Sequence, residues 1–189
     1  MRQAGSTWAG EQRARRADRL THSDMNGNAP GTDEFDERRF DDRAGFDDAV
    51  LRVIGAARTS LLMIDRDFAS WPIESPSGEL ALRTALQAGV QIRMLIMDPD
   101  WLSRHGARFF RIRRVFSMRI DCRRAPEWLR DPDCAIVADR LHVARRIPPA
   151  RMRGVLALDA PTLAASVCER PDAVWEASEP CLPATTLGL

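Results

Sequence analysis

Residues 100–124 hold eight arginines, at positions 104, 108, 111, 113, 114, 119, 123 and 124, against only two acids, Asp100 and Asp121. A guanidinium presents a planar fork of N–H donors that matches phosphate oxygens two at a time. Arg104, Arg108, Arg111, Arg123 and Arg124 are therefore candidate contacts to a phosphate-containing ligand. Asp139, a further candidate, occupies the two-residue turn Asp139-Arg140 between the short apolar runs Asp133–Ala138 and Leu141–Ile147, where its ordinary role is that of a hairpin turn acid. The ordinary role of arginines repeating at helical spacing is a solvated helix face with ion pairs. Phe109, Phe110 and Phe116 beside them suit core packing better than base stacking.

Other residue types offer less. Asp65, Asp67, Asp98 and Asp100 fall at the carboxyl ends of two expected strands, where open α/β sheets collect ligands and where oxygen donors could gather a divalent cation. Asp98 and Asp100 are explained as helix-capping acids, so no metal site is assigned. Cysteines 122, 134, 168 and 181 lack the paired spacing of a zinc site and read as reduced thiols of a cytosolic protein. A nucleophilic histidine needs an orienting partner and a phosphate clamp within reach, and His22, His105 and His142 have neither in their sequence neighbourhood. No catalytic residue and no cofactor is assigned.

The elements that must position these groups follow from patterning. Residues 1–43 combine little aliphatic material with many Gly, Asn, Ser, Asp and Arg residues, which cannot offset the entropy of ordering, and read as a disordered tail. A domain is expected over residues 44–178 and a loose tail over 179–189. Phe46, Val50, Val53, Ile54 and Ala57 recur at helical spacing. Ser60–Asp65 and Val90–Met97 are short apolar runs of the kind buried in a parallel sheet, joined by a helix that starts at Ser75-Pro76 and stops at Gly89. Asp98-Pro99-Asp100 opens one long helix reaching Phe116. Strands are expected at Met118–Arg123, in the hairpin around Asp139, and at Arg153–Leu158. A last helix starts at Asp159-Ala160-Pro161, and Pro171 is expected to break it.

Composition sets outer bounds. With 44% hydrophobic and 29% charged residues, the chain is of globular type. No apolar run approaches the ~18–20 residues needed to span a bilayer, and no hydrophobic segment follows the N-terminal arginines as in a secretory signal. A cytoplasmic protein without membrane partners is expected. A net charge of +1 and a pI near 7.7 disfavour a dedicated nucleic-acid binder. There is no lysine anywhere in the chain.

The order of these elements over residues 44–178, with Ala57-Arg58 entering the first strand, Gly89-Val90 the second and a terminal helix ending in Trp175, resembles one half of the phospholipase D-like superfamily. Enzymes of that superfamily carry His-x-Lys-x-x-x-x-Asp on a central strand, the histidine as nucleophile and the lysine as phosphate clamp, and two copies meet across a pseudo-dyad. Setting the motif's aspartate on Asp139 puts Pro132 at the histidine position and Cys134 at the lysine position. The Gly-Ser-x-Asn segment usual after the motif is absent as well.

The resemblance implies an α/β fold with a mixed, mainly parallel sheet flanked by helices. It implies a non-catalytic domain that serves as an interaction or phosphate-ligand-binding module in the bacterial cytosol, with a protein partner or a second copy as alternatives to a phosphate-containing ligand. The competing expectations are a phosphodiesterase or nuclease whose nucleophile has moved, which requires a histidine and a cation to converge near Asp139, and a nucleic-acid-binding module.

Overall fold

A computed structural model describes residues 36–129, 134–147 and 152–184. Eight strands form one sheet in the order β1-β7-β6-β5-β2-β3-β4-β8: β1 (Asp36–Phe40), β2 (Ser60–Asp65), β3 (Gln91–Ile96), β4 (Ile120–Arg124), β5 (Ala135–Ala138), β6 (His142–Arg146), β7 (Gly154–Leu158) and β8 (Glu179–Pro180). Helices α1 (Arg43–Ala56), α2 (Pro76–Gln87), α3 (Asp100–His105), α4 (Ala107–Val115) and α5 (Pro161–Trp175) flank it. The sheet is mixed, as expected, but parallel pairing is confined to β2 with β3 and β3 with β4. The other five pairings are antiparallel: β5 and β6 form a hairpin between β2 and β7, and β1 and β8 pair along the two edges of the sheet.

Alternation along the central strands divides the core between two faces. Leu61 and Met63 of β2 join Phe46, Val50, Val53 and Ile54 of α1 on one face, whereas Leu62 and Ile64 join Val137, Val143 and the α5 residues Val167, Val174 and Trp175 on the other. Burying a side chain of this size contributes about 1.5–3 kcal/mol. On the second face Arg93 and Arg123 lie over the Trp175 ring, at 4.2 and 4.9 Å from its centroid, and Asp172 of α5 receives Arg93 at 2.8 Å and also pairs with Arg140.

Local signals act as the sequence implies at several ends. Asp42 caps α1 through the Gly45 N–H at 2.7 Å, Ser75 caps α2 through the Gly78 N–H at 3.0 Å, and Gly89 leaves α2 at φ 103°, a conformation glycine adopts without steric cost.

Several boundaries of the expected elements need correction. The segment 36–40, assigned to a disordered tail, is a strand paired with β7 from Asp36↔Leu158 to Phe40↔Gly154, so the folded region begins before residue 44. Its pairing partner lies more than a hundred residues away, so nothing in its own composition announces it. Residues 1–35, with Trp8 and His22, lie outside the described residues. The long helix from Asp100 divides at Gly106 into α3 and α4, and Glu74 caps α4 by accepting from the N–H groups of Arg108 (3.0 Å) and Phe109 (2.7 Å). Pro171 does not break α5: it is buried inside the helix, where packing of Val174 and Trp175 outweighs the lost backbone bond. Finally, the tail expected at 179–189 begins with β8, antiparallel to β4, and Leu182 is buried.

The hairpin forms at Asp139-Arg140, with φ 53° and 55° and a bond from the Leu141 N–H to the Ala138 carbonyl at 2.9 Å, but the register Ala138↔His142 makes its connection three residues, Asp139–Leu141, and not the expected two. Two successive positive φ angles match the right-handed twist of the flanking strands. Asp139 also ties this turn to the loop entering β2. Its carboxylate accepts from the N–H groups of Arg58 (2.7 Å), Thr59 (2.9 Å) and Ser60 (2.8 Å) and from the Thr59 hydroxyl (2.7 Å). Burial acts against its charge, but the hydrogen bonds from Ser60, Thr59 and Arg58 outweigh it and hold the carboxyl at about 2, below its ordinary 3.8.

A folded-state pKa below the unfolded one contributes stability in full above about pH 4, lost as the pH falls from there toward 2. Asp139→Asn is expected to cost about 1–2 kcal/mol at pH 7 after allowance for partial exposure. In urea titrations the difference from wild type should close between pH 4 and 2; a difference that persists unchanged at pH 2–3 would contradict this role.

Candidate functional site

The antiparallel registers place one row of residues across three strands. Ile64 faces Ala135 and Ala135 faces Arg145, so the next row brings Asp65 at the carboxyl end of β2, Cys134 ahead of β5 and Arg146 at the end of β6 side by side. The Arg146 N–H donates to the Cys134 carbonyl at 2.9 Å, which fixes this register.

The side chains of that row form a closed polar cluster. Arg146 donates from Nη2 to Asp65 Oδ1 at 2.7 Å, from Nη1 to Ser70 Oγ at 2.8 Å and from Nε to Cys134 Sγ at 2.6 Å. Its guanidinium carbon lies 5.0 Å from the centroid of the Phe46 ring. The second Asp65 oxygen accepts from the Phe68 N–H at 2.9 Å. Side-chain exposure is 4% for Asp65 and 17% for Arg146, so the pair is withdrawn from water and each charge depends on the other.

The loop after β2 is shaped around this cluster. Phe68 is fully buried at φ 61°, a conformation that is strained for a bulky side chain. The Asp65 carboxylate and the bond from the Trp71 N–H to the Phe68 carbonyl hold it there, and its ring packs on Trp71 at 4.9 Å between centroids. Burial, followed by the Asp65 carboxylate, pushes the Cys134 thiol well above its ordinary value, and Arg146 only partly opposes the shift. Cys134 is thus held as a neutral thiol, not a nucleophile.

The predicted site residues fall in four places. Arg104 on α3 pairs with Asp100 at 2.9 Å. Arg108 and Arg111 of α4 converge on Glu79 of α2 at 2.6 and 3.1 Å. The Arg108 hydrogen bond, with Arg111 beside it, holds the Glu79 carboxyl below the usual range. On β4, Arg123 donates to the Trp175 carbonyl at 2.9 Å and neighbours Asp121 at 3.3 Å, while Arg124 is exposed and paired through its backbone register with Glu179. Asp139 lies at the opposite end of β2 from Asp65, against Ser60.

The expected meeting of a histidine and a cation at Asp139 does not occur among the described residues. His142 accepts from the Asp159 N–H at 3.1 Å, and His105 stacks on Trp101 at 5.3 Å between centroids. Pro132 lies outside the described residues. Among the described residues no three His, Cys, Asp or Glu side chains gather as a metal site: Asp67 accepts from the Ala69 N–H and Asp98 from the Asp100 N–H.

Asp65 and Cys134 are each legible in the sequence as chemistry-bearing residues, whereas Arg146 is not among the expected site residues. Register could have joined them only in part: the expected two-residue turn sets Cys134 opposite Arg145, and it is the three-residue connection Asp139–Leu141 that brings Cys134 opposite Arg146. That β5 also pairs with β2, which adds Asp65 to the row, has no local signal.

Among solved structures, the chain is similar in fold to TrmBL2, an archaeal chromatin protein with a novel mode of DNA binding (TM-score 0.60, 14% identity, 90% of this chain), and it spans 62% of the length of that chain. It is similar to Nuc of Salmonella typhimurium, a phospholipase D family member (TM-score 0.57, 20% identity, 78% of this chain and 99% of the other). It is also similar to NucT from Helicobacter pylori (TM-score 0.54, 10% identity, 78% of this chain and 100% of the other). At these identities the likeness establishes the phospholipase D-like fold. No curated protein matches the chain. A family model matches residues 42–187, and the chain therefore belongs to the family described as Domain of unknown function (DUF7931).

Proposed function

We propose that this chain is a non-catalytic phospholipase D-like domain that acts as an interaction module for a phosphate-containing ligand or a protein partner. The observation that carries this reading is the closed cluster of Asp65, Cys134, Ser70 and Arg146. The position that the resemblance assigns to a phosphate-binding lysine is Cys134, and the cation beside it, Arg146, donates to a carboxylate, a hydroxyl and a thiol of its own chain. A phosphodiester would have to displace Asp65 to reach that guanidinium, leaving a buried carboxylate unpaired.

The surface around the cluster supports the module. It lies at the carboxyl ends of β2 and β4, where ligands of open α/β sheets collect, and it presents exposed Arg66, Arg124 and Trp128. An amphipathic aromatic with neighbouring guanidinium groups suits partner contacts. No helix among the described residues is long and apolar enough to cross a membrane.

A second reading, nucleic-acid binding, is favoured by the likeness in fold to TrmBL2. On that reading Arg66 and Arg124 would carry phosphate contacts, since neither has a carboxylate at ion-pair distance among the described residues. Arg108 and Arg111 are already engaged by Glu79.

Three measurements separate these possibilities. Purified protein is expected not to hydrolyse bis-p-nitrophenyl phosphate, and turnover abolished by His142→Ala would overturn the non-catalytic reading. For the cluster, Arg146→Met alone should cost about 3–5 kcal/mol in urea unfolding, and adding Asp65→Asn should recover part of that loss; strict additivity would show that the pair is not coupled. Binding to duplex DNA, if present, should weaken steeply with salt, with Arg66→Ala and Arg124→Ala each lowering the slope by about 1; undetectable or salt-independent binding removes the second reading.

A further inference from the structure

Cys122 and Cys181 face each other across the edge of the sheet. The register Arg123↔Pro180 and Arg124↔Glu179 continues by one row to Cys122 opposite Cys181, and the Cys181 N–H donates to the Cys122 carbonyl at 2.8 Å. Both side chains lie on the same face: Cys122 is a member of the α1-side core and Cys181 packs against it. Opposed residues of a hydrogen-bonded antiparallel pair have Cα atoms about 5.5 Å apart, within the span a disulfide bridges.

A second feature converges on the same place. Arg113 of α4 is buried, and no carboxylate pairs with it among the described residues. Its Nη1 donates to the Ile120 carbonyl at 2.8 Å and to Cys122 Sγ at 3.1 Å, and its Nε has no partner. A buried cation left against thiols favours whichever sulfur carries negative charge during thiol exchange or oxidation.

We propose that Cys122 and Cys181 are a redox modification site, forming a reversible disulfide that fastens the segment 179–182 to β4 when the protein meets a peroxide. Cys181, the more exposed of the two, attacks a peroxide oxygen: an S–O bond forms, the O–O bond breaks and one water leaves. The Cys122 sulfur then displaces the hydroxyl of that sulfenic acid, forming the S–S bond and releasing a second water. The two thiols together lose two protons and two electrons, which reduce hydrogen peroxide to water, and a small dithiol reverses the step by exchange.

At rest the pair is protected. Burial pushes the Cys122 thiol up to about 12 and the Cys181 thiol to about 11, with Arg113 pulling both the other way. Reaction therefore proceeds through opening of the two-residue β8. The other cysteines are remote: Cys168 belongs to the opposite face of the sheet, and Cys134 precedes β5, three strands from β4.

The test uses the full-length protein treated with hydrogen peroxide under native conditions. The expected results are a mass loss of about 2 Da, restored by dithiothreitol, and a Tm rise of about 5 °C or more from closing a long loop. Digestion after Arg and Glu without reductant separates Cys168 from Cys181 and should yield one cross-linked peptide pair joining Cys122 to Cys181; Cys181→Ser should abolish it. Absence of the cross-link, a bridge that includes Cys134 or Cys168, or oxidation that stops at sulfinic acid on Cys181 would each overturn the proposal. Because wild type supplies the primary readout, the result does not depend on whether a Cys122 variant folds.

Discussion

Two opposite charges removed from water must answer each other, and in this fold the arrangement depends on one such pair. Asp65 ends β2 and Arg146 ends β6, with β5 between them. Their contact at 2.7 Å therefore locks the parallel half of the sheet to the antiparallel half at one end. The pair also dictates the local backbone: the second Asp65 oxygen accepts the Phe68 N–H and holds a left-handed turn that buries Phe68 and packs its ring, tilted, on Trp71. The arginine's flat face, in turn, rests on Phe46 of α1.

The opposite end of the same strands is held by a different device. Asp139 gathers three backbone N–H groups and one hydroxyl from residues 58–60. A carboxylate with these four donors joins the hairpin to the entry of β2 and so has a structural role in this fold.

The arginines follow a similar logic. A run with eight of them looks like a phosphate-binding surface when written in one dimension. In three dimensions the run spans two helices and a strand, and Glu79 of α2 takes two of them, Asp100 a third, the Trp175 carbonyl a fourth, and the Ile120 carbonyl with the Cys122 thiol a fifth. Charge density in a sequence measures what must be neutralised as much as what is offered to a ligand. What remains outward at the strand ends, Arg66, Arg124 and Trp128, is a smaller and mixed surface.

By itself the sequence determined the features that depend on near neighbours: the helix starts at Asp42 and Ser75, the stop at Gly89, the central parallel strands, the presence of a hairpin at Asp139-Arg140, and the lack of any lysine. Each follows from periodicity, capping chemistry or identity within a few residues. Only the tertiary structure decided that β5 inserts beside β2, that 36–40 and 179–180 become edge strands, and that Asp65, Cys134 and Arg146 share a row. Those outcomes rest on pairings between segments far apart in the chain, and a strand's own residues specify that it pairs and which face it buries, not the partner it finds.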